Sequence, residues 1–136
     1  MSGFELAAGI AGLIAFTTRM LELLTGLTDS IPRSTKLLQS IRNLRDVLNR
    51  VSSEYSLMLG RLPAGDVNVT SSLLRRCVDD IHGTCQEYDV LLRKIRAKMG
   101  GLRQIGWKRS EGERVELDRR LESGKSTLSL LIASIR

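Results

Sequence analysis

Six consecutive residues, Glu122-Ser123-Gly124-Lys125-Ser126-Thr127, carry the string with which a phosphate-cradling loop ends. In such a loop, successive backbone N–H groups and a lysine hold phosphates, and a Ser or Thr hydroxyl reaches a magnesium ion. The full pattern needs a glycine five residues before Gly124, where Arg119 stands, and a strand before the loop, where the sequence reads as helix. Nucleotide chemistry is not expected. His82 is the one histidine, with Cys85 three residues after it and Cys77 five before it. A zinc site takes three or four ligands, and nothing else near His82 supplies them. No serine or cysteine has a histidine partner that spacing suggests. Asp79-Asp80 and Glu87 with Asp89 fall on solvent-facing helical positions. The chain therefore reads as a non-enzyme, with no catalytic residue, cofactor or metal.

The basic residues are more informative. The net charge is +6, and residues 1–30 hold only Arg19 against Glu5, Glu22 and Asp29, so the remaining 106 residues carry +8. Arg93, Lys94, Arg96, Lys98, Arg103, Lys108 and Arg109 cluster within one short stretch. One reading is a helix end whose cations complement the dipole, at about 0.3–1 kcal/mol each. The other is an anion-binding patch. Nucleic-acid binding uses aromatics interleaved for stacking, and only Trp107 is near. An anionic lipid surface fits the cluster better, and no nucleic-acid partner is expected.

These residues must be positioned by helices. Aromatics make up 4% of the 136 residues, and the prolines are Pro32 and Pro63. The length is that of one domain, spanning 1–136. The sequence predicts an all-α, antiparallel four-helix bundle with a hydrophobic N-terminal helix. The first helix runs from about Ser2 to Thr28. The second runs from about Pro32, capped by Ser30 or Ile31, to Gly60. Its residues Leu37, Ile41, Leu44, Leu48, Val51, Tyr55, Met58 and Leu62 alternate steps of four and three, an unbroken heptad seam. Residues 60–69 read as a loop. The third helix starts near Thr70 and runs to about Met99, with Leu74, Cys77, Ile81, Cys85, Tyr88, Leu92, Ile95 and Met99 on one face. GGLRQIGWKR reads as a connector. Ser110 caps the fourth helix, with Glu113 at the capping-box position. Gly124 interrupts its seam of Leu117, Leu121, Leu128, Leu131 and Ile135, marking a close helix contact or a weak point. Cys77 and Cys85, about 12 Å apart along one helix, cannot form a bridge that needs Cα atoms within roughly 7 Å. A reducing compartment follows. A helix that runs to the end without a tail predicts a domain cut from a longer protein.

Helix one is apolar on every side between Leu6 and Phe16. Such a helix is either central in a bundle or destined for lipid. The run follows Glu5 rather than a basic region, so it does not read as a secretory signal. Ala7, Ala11 and Ala15 form a small-residue stripe, and Ala8 with Gly12 a second pair, spacing that lets helices approach closely. Burial among the other helices is the expectation, with Leu6, Ile10, Leu13 and Ile14 most buried. A larger residue at Gly12 would then overpack the bundle. Arg19 and Glu22 oppose spanning by a single copy, since each costs about 2.5–3.5 kcal/mol at depth. Assembly of several copies would make insertion plausible.

The opening Met1-Ser2-Gly3-Phe4-Glu5-Leu6-Ala7-Ala8-Gly9-Ile10-Ala11-Gly12-Leu13-Ile14 resembles the start of fungal HeLo-like N-terminal domains. The end is also similar: Trp107, then a charged helix with Leu117, Leu121, Lys125, Leu128 and Leu131. The resemblance implies a cell-death effector domain of fungal receptor-type proteins, acting in heterokaryon incompatibility or innate immunity. Such domains precede nucleotide-binding receptor, lipase-like or repeat modules. Their plan is similar to that of necroptosis-effector and plant resistance-protein four-helix domains. It further implies that the first helix is released to permeabilise membranes, a role that would fall here on Phe4, Leu6, Ile10, Leu13, Ile14 and Phe16. Arg19 and Glu22 depart from a lipid-like continuation. The expected partners are anionic membrane lipid, further copies of the chain, and other domains of the same protein or a signalling receptor. The expected location is the cytoplasm, with relocation to the plasma membrane on activation. The alternative is an interaction or oligomerisation module without membrane activity.

Overall fold

The computed structural model describes the backbone of residues 3–58 and 64–135 and the side chains of residues 5–57 and 69–134. Among these residues the chain is all-helical, without strands. The order is α1 (Gly3–Thr28), a 3-10 turn (Pro32–Ser34), α2 (Thr35–Met58), α3 (Ala64–Arg96), α4 (Leu102–Arg109) and α5 (Glu111–Ile135). The described residues form five α-helices, one more than the four expected. The supposed connector GGLRQIGWKR contains α4, because its glycines shape a corner rather than a loop. α3 closes with the Ala97 and Lys98 N–H groups bonded to the Arg93 and Ile95 carbonyls, and Gly100, in the left-handed backbone at φ 59°, turns the chain into α4. A Cβ on Gly106 would stand 3.2 Å from the flexible Lys98 side chain and 3.6 Å from Ile95 Cγ1, so α4 lies close to the end of α3 there.

Other boundaries also move. Pro32 opens a 3-10 turn, and α2 begins only at Thr35. Neither Ser30 nor Ile31 caps it: Ile31 makes no side-chain cap bond, and Ser30 instead receives Arg103. α3 starts at Ala64, so the expected loop shrinks, with residues 59–63 outside the described residues. Ser110 closes α4 instead of building a capping box. Its Oγ donates to the Trp107 carbonyl at 2.7 Å and accepts from Arg114 Nε at 2.9 Å.

Four heptad-spaced lines fill the core. On α1, Leu6, Ile10, Leu13, Thr17, Met20, Leu24 and Leu27 are each no more than 1% exposed. On α2 the seam holds from Leu37 through Ile41, Leu44, Leu48 and Val51 to Tyr55, all buried; the Met58 and Leu62 side chains lie outside the described residues. On α3 the line is Ser71, Leu74, Val78, Ile81, Cys85, Tyr88, Leu92 and Ile95. Met99 leaves it at 81% exposed, because α3 has already ended. On α5, Leu117, Leu121 and Leu128 are buried, with Ile132 beyond them. Helix α1 packs against α2 and α3, α5 packs against the same two, and α4 covers one end of α3 and α5. Buried hydroxyls are satisfied within this core. Thr17 Oγ1 donates to the Ile14 carbonyl at 2.7 Å, and the Tyr55 and Ser71 hydroxyls bond each other at 2.7 Å.

Gly124 marks the closest approach of α5 to α3. A Cβ there would stand 2.5 Å from Ile81 Cγ1. Gly12 is the opposite case, since a Cβ built on it meets nothing within 4 Å. The expected overpacking at Gly12 is thereby corrected: it lies on the uncovered face of α1. Opposite signs follow for two identical substitutions. Gly12→Ala removes a helix-interior glycine without a clash and should stabilise by about 0.5–1 kcal/mol. Gly124→Ala has the same local gain but forces the stiff, buried Ile81 to move, and should destabilise by about 1–3 kcal/mol. Chemical denaturation of both variants against the parent measures the two signs.

Candidate membrane surface

The phosphate-loop string lies inside continuous α5. Lys125 Nζ pairs with Glu122 at 2.7 Å, its side chain only 13% exposed, and Thr127 Oγ1 returns to the Ser123 carbonyl at 2.9 Å. Backbone N–H groups within a helix are already bonded and cannot cradle a phosphate. His82 meets Phe16 edge to face, ring centroids 5.3 Å apart. Among the described residues no three His, Cys, Asp or Glu side chains gather as a metal site. Burial pushes the Cys85 thiol up to about 12. Burial, helped by the nearby Asp80 charge, pushes Cys77 up to about 11. Both stay protonated at neutral pH, the unreactive form of a thiol. Burial and the hydrogen bond to Asp118 raise the Tyr88 phenol as well; its hydroxyl donates to Asp118 Oδ1 at 2.7 Å.

The expected membrane-acting residues of α1 divide by depth. Leu6, Ile10 and Leu13 are sealed in the core, whereas Ile14 and Phe16 are half-buried at its edge. The Phe4 side chain lies outside the described residues. The small residues Ala7, Ala8, Ala11, Gly12 and Ala15 face solvent rather than a neighbouring helix or are only lightly covered, which corrects the close-packing expectation. The physical reason is one-sided coverage. Helices α2 and α3 enclose the line of large side chains, and the methyl-sized face opposite has little apolar area to hide. The segment Glu5–Thr28 is long and apolar enough to cross a bilayer by length and composition, a test that buried core helices also pass.

The basic cluster is brought together at the α3–α4 corner, and its members differ in what they do. Arg93 pairs with Asp89 at 2.8 Å. Arg103 is structural: Nε donates to the Lys98 carbonyl at 2.7 Å, and a terminal N–H to Ser30 Oγ at 3.2 Å. Gln104 adds a bond to the Ser30 carbonyl at 3.1 Å. Together they tie the corner to the α1–α2 link. Lys94, Arg96, Lys98, Lys108 and Arg109 are exposed, and no ion pair engages them among the described residues. Sequence reasoning missed the apolar members of this corner. Met99, Leu102 and Ile105 are 81%, 57% and 46% exposed, on the same short stretch as the cations. The three-residue step from Leu102 to Ile105, two residues before Trp107, was the signal of a helical face.

The cluster and the start of α1 are not brought together. Ser30 touches the corner, and α1 extends away from it for 26 residues, about 39 Å at the usual helical rise. Comparison of the chain with protein-family models, curated proteins and solved structures gives no match.

Thiol titration checks the buried cysteines. Both folded-state pKa values lie above the ordinary 9.0. The unfolded chain thus loses these protons first, and the stability they contribute is full below about pH 9 and falls as pH rises toward 11–12. Ellman's reagent at pH 8 should react slowly with the native chain and fully with two thiols after denaturation, while thermal stability should decline above pH 9.

Proposed function

We propose that this chain is a membrane-targeting domain that docks on anionic bilayers through the α3–α4 corner and belongs to a cell-death effector. One observation carries the docking step: five cations without an ion pair among the described residues share the α3–α4 corner with three exposed apolar side chains. Each cation near an anionic surface is worth about 1 kcal/mol, screened by salt. Met99, Leu102 and Ile105 would enter the headgroup boundary and add an apolar term that salt does not weaken. In this reading α1, α2, α3 and α5 form an antiparallel bundle, and α4 is a docking appendage. The domain binds and does not catalyse. It resides in the cytoplasm and moves to the plasma membrane on activation, with other domains of its own protein or a signalling receptor as the trigger.

The effector step rests on the resemblance of the first 14 residues to HeLo-like domains. Release of α1 would remove seven sealed positions from the core, at about 1.5–3 kcal/mol for each large side chain. Lipid and neighbouring copies must replace those contacts for the exit to be favourable. The exposed small-residue face of α1 favours a second reading, an oligomerisation or interaction module that never enters lipid.

Two sets of variants separate the steps. Lys94→Glu with Arg96→Glu and Arg109→Glu should reduce co-sedimentation with phosphatidylserine vesicles at least tenfold, about 1.4 kcal/mol or more, and leave the helical circular dichroism unchanged. Ala11→Asp with Ala15→Asp changes only exposed positions, so folding and docking should persist. Dye leakage should be lost, because each carboxylate costs several kcal/mol in the bilayer. If the parent chain neither binds nor leaks anionic vesicles, even when fused to an oligomerising scaffold, the interaction module replaces the membrane reading.

A further inference from the structure

A cleft of about 1120 Å³ opens where the 3-10 turn, α2, α4 and α5 converge. Its floor is apolar, made by Ile31, Leu37 and Trp107, with Tyr88 at its inner edge. Its volume is on the scale of a small-molecule site, and polar and charged side chains ring the apolar floor. Trp107 is held in place from above: the Arg114 guanidinium stacks 3.9 Å from its ring centroid and donates to its carbonyl at 2.8 Å.

The rim is cationic. Arg33, Lys36 and Lys108 line it, are exposed, and make no ion pair among the described residues. Two carboxylates also line the cleft. Asp118 is occupied by the Tyr88 hydroxyl, and Glu111 is exposed at the mouth. With Arg114 counted, the lining carries a small positive excess, suited to one anionic head and not to a polyphosphate. Arg33 and Lys36 also stand at the positive pole of α2, whose first turn has no acidic residue. Cations there oppose the helix dipole, so the fold itself gains nothing from them.

We propose that this cleft binds a single-chain amphiphile, with its anionic head at Arg33, Lys36 and Lys108 and its alkyl chain over Ile31, Leu37 and Trp107. The inference does not rest on the membrane reading. Arg33 and Lys36 lie outside the corner residues altered above. Trp107 is the chain's single tryptophan and lines the site, so its emission reports occupancy.

The test titrates the chain with lauroyl lysophosphatidate below its micelle concentration, following Trp107 emission and calorimetry. Lauroyl lysophosphatidylcholine controls for the head, and glycerol 3-phosphate for the chain. The expected result is saturable one-to-one binding, about tenfold weaker for either control. Arg33→Glu with Lys36→Glu should weaken binding by about tenfold or more while raising the melting temperature, since acids replace cations at the positive pole of α2. Lys36→Gln alone gives the same direction if the double variant does not fold. Arg42→Glu, at an exposed position of α2 outside both the cleft and the corner, should leave this binding unchanged. Absence of saturable binding below the micelle concentration overturns the proposal. So does equal binding of either control, or an unchanged affinity in the Arg33 and Lys36 variants. A response to an acidic amphipathic peptide with none to lysophosphatidate assigns the cleft to a protein partner and overturns it too.

Discussion

One line of seven side chains on α1, from Leu6 to Leu27, sets the terms for the rest of the molecule. Its steps of four and three keep the line on one side of the helix, so α2 and α3 can seal it from that side only. The opposite face stays in water, and it is tolerable there because it consists of alanine and glycine up to Ala15 and of Arg19 and Glu22 beyond. The other long helices answer with heptad lines of their own. Where α5 meets α3, the lines approach so closely that only a hydrogen fits at position 124.

The α2 seam was legible because polar residues separate its apolar ones, giving a contrast at helical period. The α1 line carries the same spacing yet was hidden, since every residue between Leu6 and Phe16 counts as apolar. There the signal was size rather than polarity: Leu, Ile and Met inward, Ala and Gly outward. Helix α4 was missed for a related reason. Gly100, Gly101 and Gly106 read as loop, but Gly106 sits inside α4, and of the three only Gly100 takes a left-handed backbone. Projecting the α3 period through Met99 failed because periodicity does not reveal where a helix stops.

The candidate site was half legible. The cations were visible as a cluster, but sequence alone could not separate those engaged in structure from those left for a partner. Arg103 and Arg93 have partners within the chain, and the remaining five have no ion pair among the described residues. Nor could it show that Met99, Leu102 and Ile105 surface among them, because an apolar residue in a short helix reads first as core. Distance adds a constraint that spacing could not: the cationic corner sits at the far end of α1 from its first turn. On the proposed docking, the start of α1 would point away from the corner.

The small-residue face of α1 has an entropic character of its own. Alanine and glycine have no side-chain rotamers, so covering Ala7, Ala8, Ala11, Gly12 and Ala15 freezes no side-chain torsion on this chain. The same residues offer little area, so each contact made there also releases little. A surface with a low ordering penalty and a low yield is one that can be occupied and vacated readily. Lasting attachment along it would have to draw its strength from the partner's side chains or from many such faces acting at once.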